Sequence, residues 1–191
     1  MKDDRHIKKP EWNCKWKNHH EYHDSSDADK IIELAIEKKG LMITGRAGTG
    51  KTYIIKNNKY ITDENSIKMS FTNKASRNCG GSTIHKTLHL NGSLKTQEKT
   101  LNKLKGYQFC IIDEIGMIGN PLWNLLKLIK QVNRRMIFIL LGDFRQLPPI
   151  DETRNTELDV FNHPIVNWLV NGNQIELTTR KRYDEALWNY L

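Results

Sequence analysis

Short runs of consecutive apolar residues alternate along this chain with longer segments in which apolar residues recur at helical spacing. The apolar runs predict buried strands at residues 41–44, 67–72, 109–112, 136–141 and 174–177. The periodic segments predict helices near residues 27–39, 51–56, 73–77, 121–132 and 164–170, with a further surface helix before residue 106 and a helical start at 184. Because strands alternate with helices, we predict an α/β fold, in which helices cover both faces of a parallel sheet to give three layers.

The first 26 residues lack this pattern. They are charged and rich in His and Trp, so we predict an irregular basic extension over residues 1–26 and one globular domain over residues 27–191. The alternative for this extension is a zinc site, for which the candidate ligands are Cys14, His19, His20 and His23, with His6 upstream. Their spacing matches no paired-ligand pattern and they include a single cysteine, which favours a solvated tail.

In one loop, the residue types and their spacing together predict a binding site for phosphate groups. Residues 45–52 read Gly-Arg-Ala-Gly-Thr-Gly-Lys-Thr, between a predicted strand and a predicted helix, and fit the phosphate-binding loop. Glycines let the backbone curl until successive N–H groups surround an anion. Lys51 can reach the outer phosphates, and the Thr52 hydroxyl can ligate the Mg²⁺ of a nucleoside triphosphate. The residues predicted to hold the phosphates are Gly45, Ala47, Gly48, Thr49, Gly50, Lys51 and Thr52. An ordinary glycine-rich turn is the alternative.

Polar side chains also follow two later strands. Asp113 can hold Mg²⁺ opposite Thr52, and Glu114 can deprotonate a water for in-line attack on the γ-phosphate. Gln146, in the string Gly-Asp-Phe-Arg-Gln-Leu-Pro-Pro, can hydrogen-bond both that water and the γ-phosphate. The alternatives are carboxylates that only cap the following helix and a loop that is merely ordered.

Five segments follow one another in the order of a known set of helicase motifs. They are residues 45–52, 72–76 (Thr-Asn-Lys-Ala-Ser), 83–85 (Thr-Ile-His), 112–117 (Ile-Asp-Glu-Ile-Gly-Met) and 142–149. Together they resemble superfamily 1B DNA helicases, and within these the PIF-type, RecD-like and Dda-like enzymes. The resemblance runs from about residue 30 to the end. It implies a RecA-like P-loop NTPase fold, ATP and Mg²⁺ as ligands and single-stranded DNA as a partner.

The resemblance also implies roles for individual residues. The catalytic set is Lys51, Glu114 as the base, Gln146 as the γ-phosphate sensor, and Arg182, with Arg180 as second choice, as the arginine that reaches the γ-phosphate. The Mg²⁺ ligands are Thr52 and Asp113. The residues that match segments gripping the single strand are Thr72, Asn73, Lys74, Thr83 and His85. Hydroxyls and a lysine suit contacts to the phosphate backbone, which position a strand without reading its sequence.

The sequence departs from this family in three ways. The family carries a glutamine upstream of the phosphate loop that reads adenine, whereas the first glutamine here is Gln97, so adenine specificity rests on the resemblance. These helicases also use two RecA-like domains, and we expect the second to be absent from this chain. A second domain or a partner chain is therefore expected to complete the ATP site. The short stretch between His85 and Asp113 also leaves little room for a helicase pin.

Composition narrows the class of protein. The chain has 191 residues, of which 38% are apolar and 27% charged, as expected for one soluble domain. No apolar run approaches a membrane span, and the charged first ten residues do not resemble a signal peptide. Three scattered cysteines predict a reducing, intracellular location. The net charge of +8 is compatible with a partner that has a phosphate backbone.

The leading hypothesis is an ATP-dependent DNA helicase motor domain, or a fragment of one, that couples ATP hydrolysis to translocation on single-stranded DNA. By family resemblance, such a motor serves DNA replication, repair or recombination. The first alternative is a P-loop ATPase or kinase that does not act on DNA. The second is a nucleotide- or DNA-binding module without enzymatic activity.

Overall fold

The computed structural model describes residues 16–22, 25–143, 150–151, 156–157, 159–179 and 181. The strands are β1 (Asn18–Tyr22), β2 (Leu41–Gly45), β3 (Ser66–Ser70), β4 (Ser82–Thr83), β5 (Phe109–Asp113), β6 (Ile137–Gly142), β7 (Ile150–Asp151), β8 (Thr156–Glu157) and β9 (Asn173–Leu177). The helices are α1 (Ala28–Lys38), α2 (Lys51–Lys56), α3 (Asn73–Cys79), α4 (Ile84–Thr87), α5 (Leu94–Leu104), α6 (Asn120–Val132) and α7 (Pro164–Leu169), with a 3-10 turn at Ile115–Met117.

Seven of these strands form one parallel sheet in the order β1-β9-β2-β6-β5-β3-β4, and β7 pairs with β8 in a separate antiparallel hairpin. Strands β2, β5 and β6 are buried along their whole length, because helices cover both faces. In β2, Leu41 and Ile43 pack in a cluster with α1 and α2, whereas Met42 packs in a second cluster with α6 and α7. The predicted three-layer parallel fold is confirmed.

The edge strand β1 contradicts the prediction of an irregular segment up to residue 26. Residues Asn18–Tyr22 pair in parallel with β9, and the Lys17 amide donates to the Gly172 carbonyl at 2.9 Å. Backbone groups make this pairing, so an edge strand needs no apolar alternation, and the hydrophobic pattern does not mark it. Residues 1–15 and 23–24 lie outside the described residues.

The boundary between β3 and α3 also differs from the prediction. The strand was predicted to extend to residue 72 but ends at Ser70. Thr72 is instead the N-cap of α3, because its side chain accepts a hydrogen bond from the Ala75 amide at 3.2 Å. Gly81, just beyond α3, is set so close to the Lys68 carbonyl that a Cβ there would overlap it. The segment after β3 is thereby folded back beside the sheet.

The carboxyl ends of the central strands bring distant segments of the chain together. Strand β6 lies between β2 and β5, so the residues that follow all three strands meet at one edge of the sheet. These are the loop after Gly45, the pair Asp113 and Glu114, and Asp143. This edge is where ligands bind in open parallel sheets. Among the described residues, no helix has the length and apolar character needed to cross a bilayer.

Candidate nucleotide site and nucleic-acid surface

The loop between β2 and α2 is shaped by the conformation of Gly50 and by a hydrogen bond of Thr49, and it lies against Ser25. Gly50 precedes α2 with φ +95°, a left-handed conformation that favours glycine, and a Cβ there would overlap the Ser25 hydroxyl. The buried Thr49 hydroxyl donates to the Arg46 carbonyl at 2.9 Å. The predicted phosphate loop is therefore a preformed turn. Ser25 is a neighbour of the loop that the sequence pattern did not reveal.

Lys51 lies under this loop, where its ammonium group donates to the Gly45 carbonyl at 2.6 Å and to the Arg46 carbonyl at 3.0 Å. Burial lowers the pKa of Lys51, and the negative charges of Asp143, Asp113 and Glu114 oppose that shift. The partners of the ammonium are neutral carbonyl oxygens. A phosphate oxygen at the loop would give it a charged partner, and hydrogen bonds to charged groups are the stronger ones.

Thr52 joins the loop to the end of β5. Its hydroxyl donates to Asp113 Oδ2 at 3.2 Å, and the Glu114 amide donates to Asp113 Oδ1 at 2.9 Å. Burial raises the pKa of Asp113, although these two hydrogen bonds and the charge of Lys51 oppose the shift. Ser70, which shares a register position with Asp113, has a buried hydroxyl with no hydrogen-bond partner among the described residues.

Oxygen atoms such as these are the ligands that Mg²⁺ prefers in proteins. Burial disfavours the charged form of the Asp113 carboxylate, and a bound cation would supply the positive charge that compensates it. The donor set of Thr52 and Asp113 therefore fits the predicted Mg²⁺.

Glu114 follows Asp113 in a left-handed backbone conformation, with φ 56° and ψ 47°. Such angles are uncommon for a residue other than glycine. Its Oε2 accepts a hydrogen bond of 2.8 Å from the Thr72 hydroxyl. The predicted base thus lies beside the predicted Mg²⁺ ligand, at the same strand end. Sequence reasoning assigned Thr72 to strand binding alone and missed this second contact.

Asp143, at the end of β6, is a further residue that sequence reasoning left without a role. Its Oδ2 accepts a hydrogen bond of 2.9 Å from the Ala47 amide, so the carboxylate touches the phosphate loop directly. The signal was present, because Asp143 follows a buried strand that lies between the two strands of the predicted site. Gln146, in the same string, lies outside the described residues.

A cavity of about 660 Å³ adjoins the loop. It is lined by Ser25, Ser26, Gly48, Gly50, Lys51, Thr52, Tyr53 and Lys181. The Tyr53 side chain is exposed beside it, and the Lys181 amide donates to the Gly48 carbonyl at 3.0 Å. The chain thus returns to the phosphate loop one residue before Arg182. Arg182 and its second choice, Arg180, both lie outside the described residues.

The structure brings the predicted strand-binding residues together on two neighbouring elements. Thr72 caps α3 and Thr83 caps α4, where its hydroxyl accepts from the Lys86 amide at 3.3 Å. These caps are adjacent because β3 and β4 pair in parallel, with Ser70 opposite Thr83.

Exposed polar groups surround the two caps. Asn73 and Lys74 are exposed in the first turn of α3, and His85 is exposed on α4. The His85 ring lies edge-on to Phe71, with 6.3 Å between the ring centres. The predicted residues thus form one surface at the carboxyl edge of the sheet.

The zinc alternative for the amino-terminal segment falls mostly outside the described residues, since His6, Cys14 and His23 are not among them. Within the part of the chain that the structure describes, no group of three or more His, Cys, Asp or Glu residues is arranged to hold a metal ion.

Comparison with known proteins agrees with the geometry of the site. The model of a family described as "AAA domain" matches residues 28–152. The chain is 29% identical over 151 residues to the ATP-dependent DNA helicase RRM3 of Saccharomyces cerevisiae, covering 65% of this chain and 20% of that protein. It is 27% identical over 188 residues to the ATP-dependent DNA helicase Pif1 of Bdellovibrio bacteriovorus, covering 88% of this chain and 42% of that protein.

A solved structure supports the fold. The chain superposes on a Bacteroides Pif1 helicase, crystallised in complex with ADP-AlF3 and single-stranded DNA, with a TM-score of 0.68 and 23% identity. The match covers 85% of this chain and 44% of that one. This likeness confirms the predicted RecA-like fold. The chain spans between a fifth and two-fifths of the length of the two curated relatives.

Proposed function

The chain belongs to the AAA domain family and has the motor-domain fold of PIF-type superfamily 1B helicases, and from this premise we propose that it hydrolyses ATP to drive translocation on single-stranded DNA. The observation that carries the proposal is the hydrogen bond between Thr52 and Asp113, with Glu114 next in the chain. It joins the proposed phosphate loop, which follows β2, to the carboxylate at the end of β5 that we propose as a Mg²⁺ ligand.

Phosphate binding in this proposal belongs to the loop and to Lys51. The N–H groups from Gly45 to Thr52 surround the phosphates. When the phosphates bind, the Lys51 ammonium group gives up its hydrogen bonds to the Gly45 and Arg46 carbonyls and donates to phosphate oxygens instead. The bond from the Ala47 amide to Asp143 would be given up when a phosphate takes that amide. The residues that hold the phosphates are those of the predicted set.

Thr52 and Asp113 are the residues that would hold Mg²⁺. The chemistry that Mg²⁺ supplies when bound is neutralisation of charge on the β- and γ-phosphate oxygens. Asp113 keeps its place through the hydrogen bond that its Oδ1 accepts from the Glu114 amide. We propose this pair because its oxygens lie 3.2 Å apart beside the loop.

Glu114 is the proposed general base, which takes a proton from the water that attacks the γ-phosphate in line. The proton moves to a carboxylate oxygen of Glu114, and the bond to the leaving ADP oxygen breaks. Gln146 is proposed to orient that water, and Arg182 to meet the charge on the γ-phosphate. The role of Gln146 rests on the family resemblance, and that of Arg182 rests on the resemblance and on the return of the chain to the loop at Lys181.

The surface formed by Thr72, Asn73, Lys74, Thr83 and His85 is the proposed contact with the strand. Its exposed lysine and polar groups suit the phosphate backbone of single-stranded DNA, and the Phe71 and His85 rings offer apolar surface for bases. The net charge of +8 has the sign that such a partner requires. We place the activity inside the cell, where ATP and DNA occur together.

A second RecA-like domain, or a partner chain, is proposed to complete the ATP site. The relatives are much longer than the region that this chain matches. Transition-state charge on the phosphates calls for several cations, and Lys51 is the cation that we assign to the loop from this chain. Unwinding of a duplex is accordingly assigned to the completed motor, whereas slow hydrolysis of ATP that DNA stimulates is expected of this chain alone.

The test is ATP hydrolysis by the purified chain with and without a single-stranded oligothymidylate. The proposal predicts that the strand increases the turnover number by about ten-fold or more. An equal turnover number with and without the oligothymidylate would support the alternative of a P-loop ATPase that does not act on DNA. A chain that binds the oligothymidylate but hydrolyses no nucleotide under either condition would support a binding module.

A further inference from the structure

The cavity beside the phosphate loop is lined by more than the residues assigned to phosphate and Mg²⁺. Lys51 and Thr52 line it, and so do Ser25, Ser26 and Tyr53, which have no part in holding either. Its volume of about 660 Å³ lies within the usual range for a small-molecule pocket, about 300–1,000 Å³. The rest of the lining is therefore available to the base and ribose of a nucleotide whose phosphates occupy the loop.

Tyr53 supplies an aromatic surface next to the proposed phosphate site. It follows Lys51 and Thr52 directly in the first turn of α2, lines the cavity and is 49% exposed. The next two residues, Ile54 and Ile55, are buried in the core, which anchors the turn that carries the ring. Aromatic side chains bind bases by stacking, and stacking tolerates every base because each one has a π-face.

Selection of one base requires a hydrogen-bonding group whose character is fixed. Where adenine has an amino donor, guanine has a carbonyl acceptor. The hydroxyls of Ser25 and Ser26 can serve either one, since a hydroxyl has one proton to donate and two lone pairs. The Lys181 ammonium group only donates, and both purines have an N7 acceptor. None of these three side chains therefore rejects either purine.

The carbonyls of the two glycines in the lining already accept hydrogen bonds. The Gly48 carbonyl accepts from the Lys181 amide at 3.0 Å, and the Gly50 carbonyl accepts from the Ile54 amide at 3.2 Å. Adenine is recognised in bidentate fashion by the paired donor and acceptor of an Asn or Gln amide. Among the described residues, the side chains that line the cavity include no such amide.

We propose that this cavity binds nucleoside triphosphates without selecting the base, and that the base stacks on Tyr53. The inference rests on the proposed function and widens its substrate class from ATP to purine and pyrimidine triphosphates. Affinity comes from the phosphate loop, Lys51 and Mg²⁺, which contact atoms that all these nucleotides share. A site that depended on hydrogen bonds to one base edge would reject the other bases strongly, because its polar groups would be left unpaired.

The test measures displacement of a ribose-labelled fluorescent ATP analogue from the 191-residue chain by ATP, GTP, CTP and UTP in the presence of Mg²⁺. We expect the Kd of GTP to lie within about three-fold of the Kd of ATP, and those of CTP and UTP within about ten-fold, because smaller rings stack over less area. A Kd for GTP more than about 20-fold above that of ATP would overturn the inference, since only a group that reads the base edge separates the two purines so far.

Two variants at Tyr53 test the stacking. Tyr53→Ala should raise the Kd of all four nucleotides about ten-fold, whereas Tyr53→Phe, which keeps the ring, should leave each within about two-fold. Inorganic triphosphate is the probe without a base, and its Kd should be the same for Tyr53→Ala and the unaltered chain. The matched control is Trp168→Ala, because Trp168 is an aromatic residue on α7 that is 43% exposed and does not line the cavity. Its nucleotide affinities should not change.

Two further results would overturn the inference. Unchanged nucleotide affinities in Tyr53→Ala would mean that the base does not stack on Tyr53. An equal loss of affinity for the nucleotides and for inorganic triphosphate would mean that the ring only supports the loop. These results leave the proposed function standing, since ATP hydrolysis stimulated by DNA does not require either. Failure of the unaltered chain to bind any of the four nucleotides would instead overturn the proposed function and this inference with it.

Discussion

Thr52 and Asp113, which are 61 residues apart in the sequence, meet through a hydrogen bond of 3.2 Å from the threonine hydroxyl to the aspartate carboxylate. The contact crosses the end of β6, which separates the strand before the phosphate loop from the strand that ends in Asp113. Local sequence cannot create such a contact. It arises because the order of strands in the sheet brings the two segments to one edge.

Lys51→Ala should weaken nucleotide binding. The variant loses a charge-assisted contact worth about 1.5–3 kcal/mol. We therefore expect the Kd for a fluorescent ATP analogue to rise about 10- to 100-fold in titration. Lys56→Ala is the matched control, because Lys56 is exposed at the far end of the same helix. Equal affinities of the two variants for the ATP analogue would show that Lys51 does not bind the nucleotide.

Asp113→Asn should stabilise the nucleotide-free protein while abolishing hydrolysis. Burial raises the pKa of Asp113 above its ordinary value of 3.8, so the ionised carboxylate costs folding free energy at neutral pH. We expect a gain of about 1 kcal/mol in chemical denaturation at pH 7, as for other substitutions that relieve a functional site. The gain should disappear as the pH falls through the folded pKa towards 3.8, because the unaltered carboxylate is then neutral too.

Asp63→Asn is the control for this prediction. Asp63 is exposed, and its hydrogen bond with Lys68 lowers its pKa, so that neutralising it should not stabilise the protein. A gain of the same size in both variants would show a general effect of net charge. A loss of stability in Asp113→Asn would mean that the ionised carboxylate is favoured in the fold.

Gly50→Ala should disrupt the phosphate loop. The left-handed φ of +95° disfavours any side chain, and the new Cβ would overlap Ser25. We expect a cost of about 1–3 kcal/mol in unfolding free energy, together with loss of nucleotide binding. Gly106→Ala is the control, since a Cβ there meets its nearest atom, the Lys103 carbonyl oxygen, at an ordinary 3.5 Å. Equal stability of the two variants would contradict the claim that the backbone conformation at Gly50 disfavours a side chain.

Acid should destabilise the junction of α6 and α7 through His163. Its Nδ1 accepts from the Ile165 amide and its Nε2 lies 2.9 Å from Asn120 Oδ1, an arrangement that suits the neutral ring. Burial lowers the pKa of His163 below 6.5, against the charge of Asp159. The unfolded chain therefore binds more protons, and stability is lost as the pH falls through 6.5 towards the folded pKa.

Urea midpoints measured between about pH 7.5 and about pH 5 test this prediction. His163→Gln should show a smaller decrease over that range than the unaltered chain, because glutamine does not titrate. Parallel decreases for the two proteins would assign the acid sensitivity to other groups.

The sequence predicted the strands of the sheet and the turn between β2 and α2 because both depend on local signals. The apolar runs at β2, β5 and β6 mark buried strands, and the spacing from Gly45 to Thr52 marks the loop. Other features depend on tertiary contact. Strand β1 is formed by backbone pairing with β9, and the bond from Thr72 to Glu114 depends on β3 lying beside β5. Ser25 and Asp143 belong to the same class, because each touches a loop that is distant in sequence.

The most direct test of the account is phosphate release at saturating ATP and oligothymidylate, compared between the unaltered chain and Glu114→Gln. Glutamine keeps the size of the side chain but cannot take a proton from water. We predict that turnover falls about 10²- to 10⁴-fold. The affinity for a fluorescent ATP analogue should stay within about two-fold, because Glu114 makes no predicted contact with the phosphates. Turnover by Glu114→Gln equal to that of the unaltered chain would contradict the assignment of Glu114 as the base.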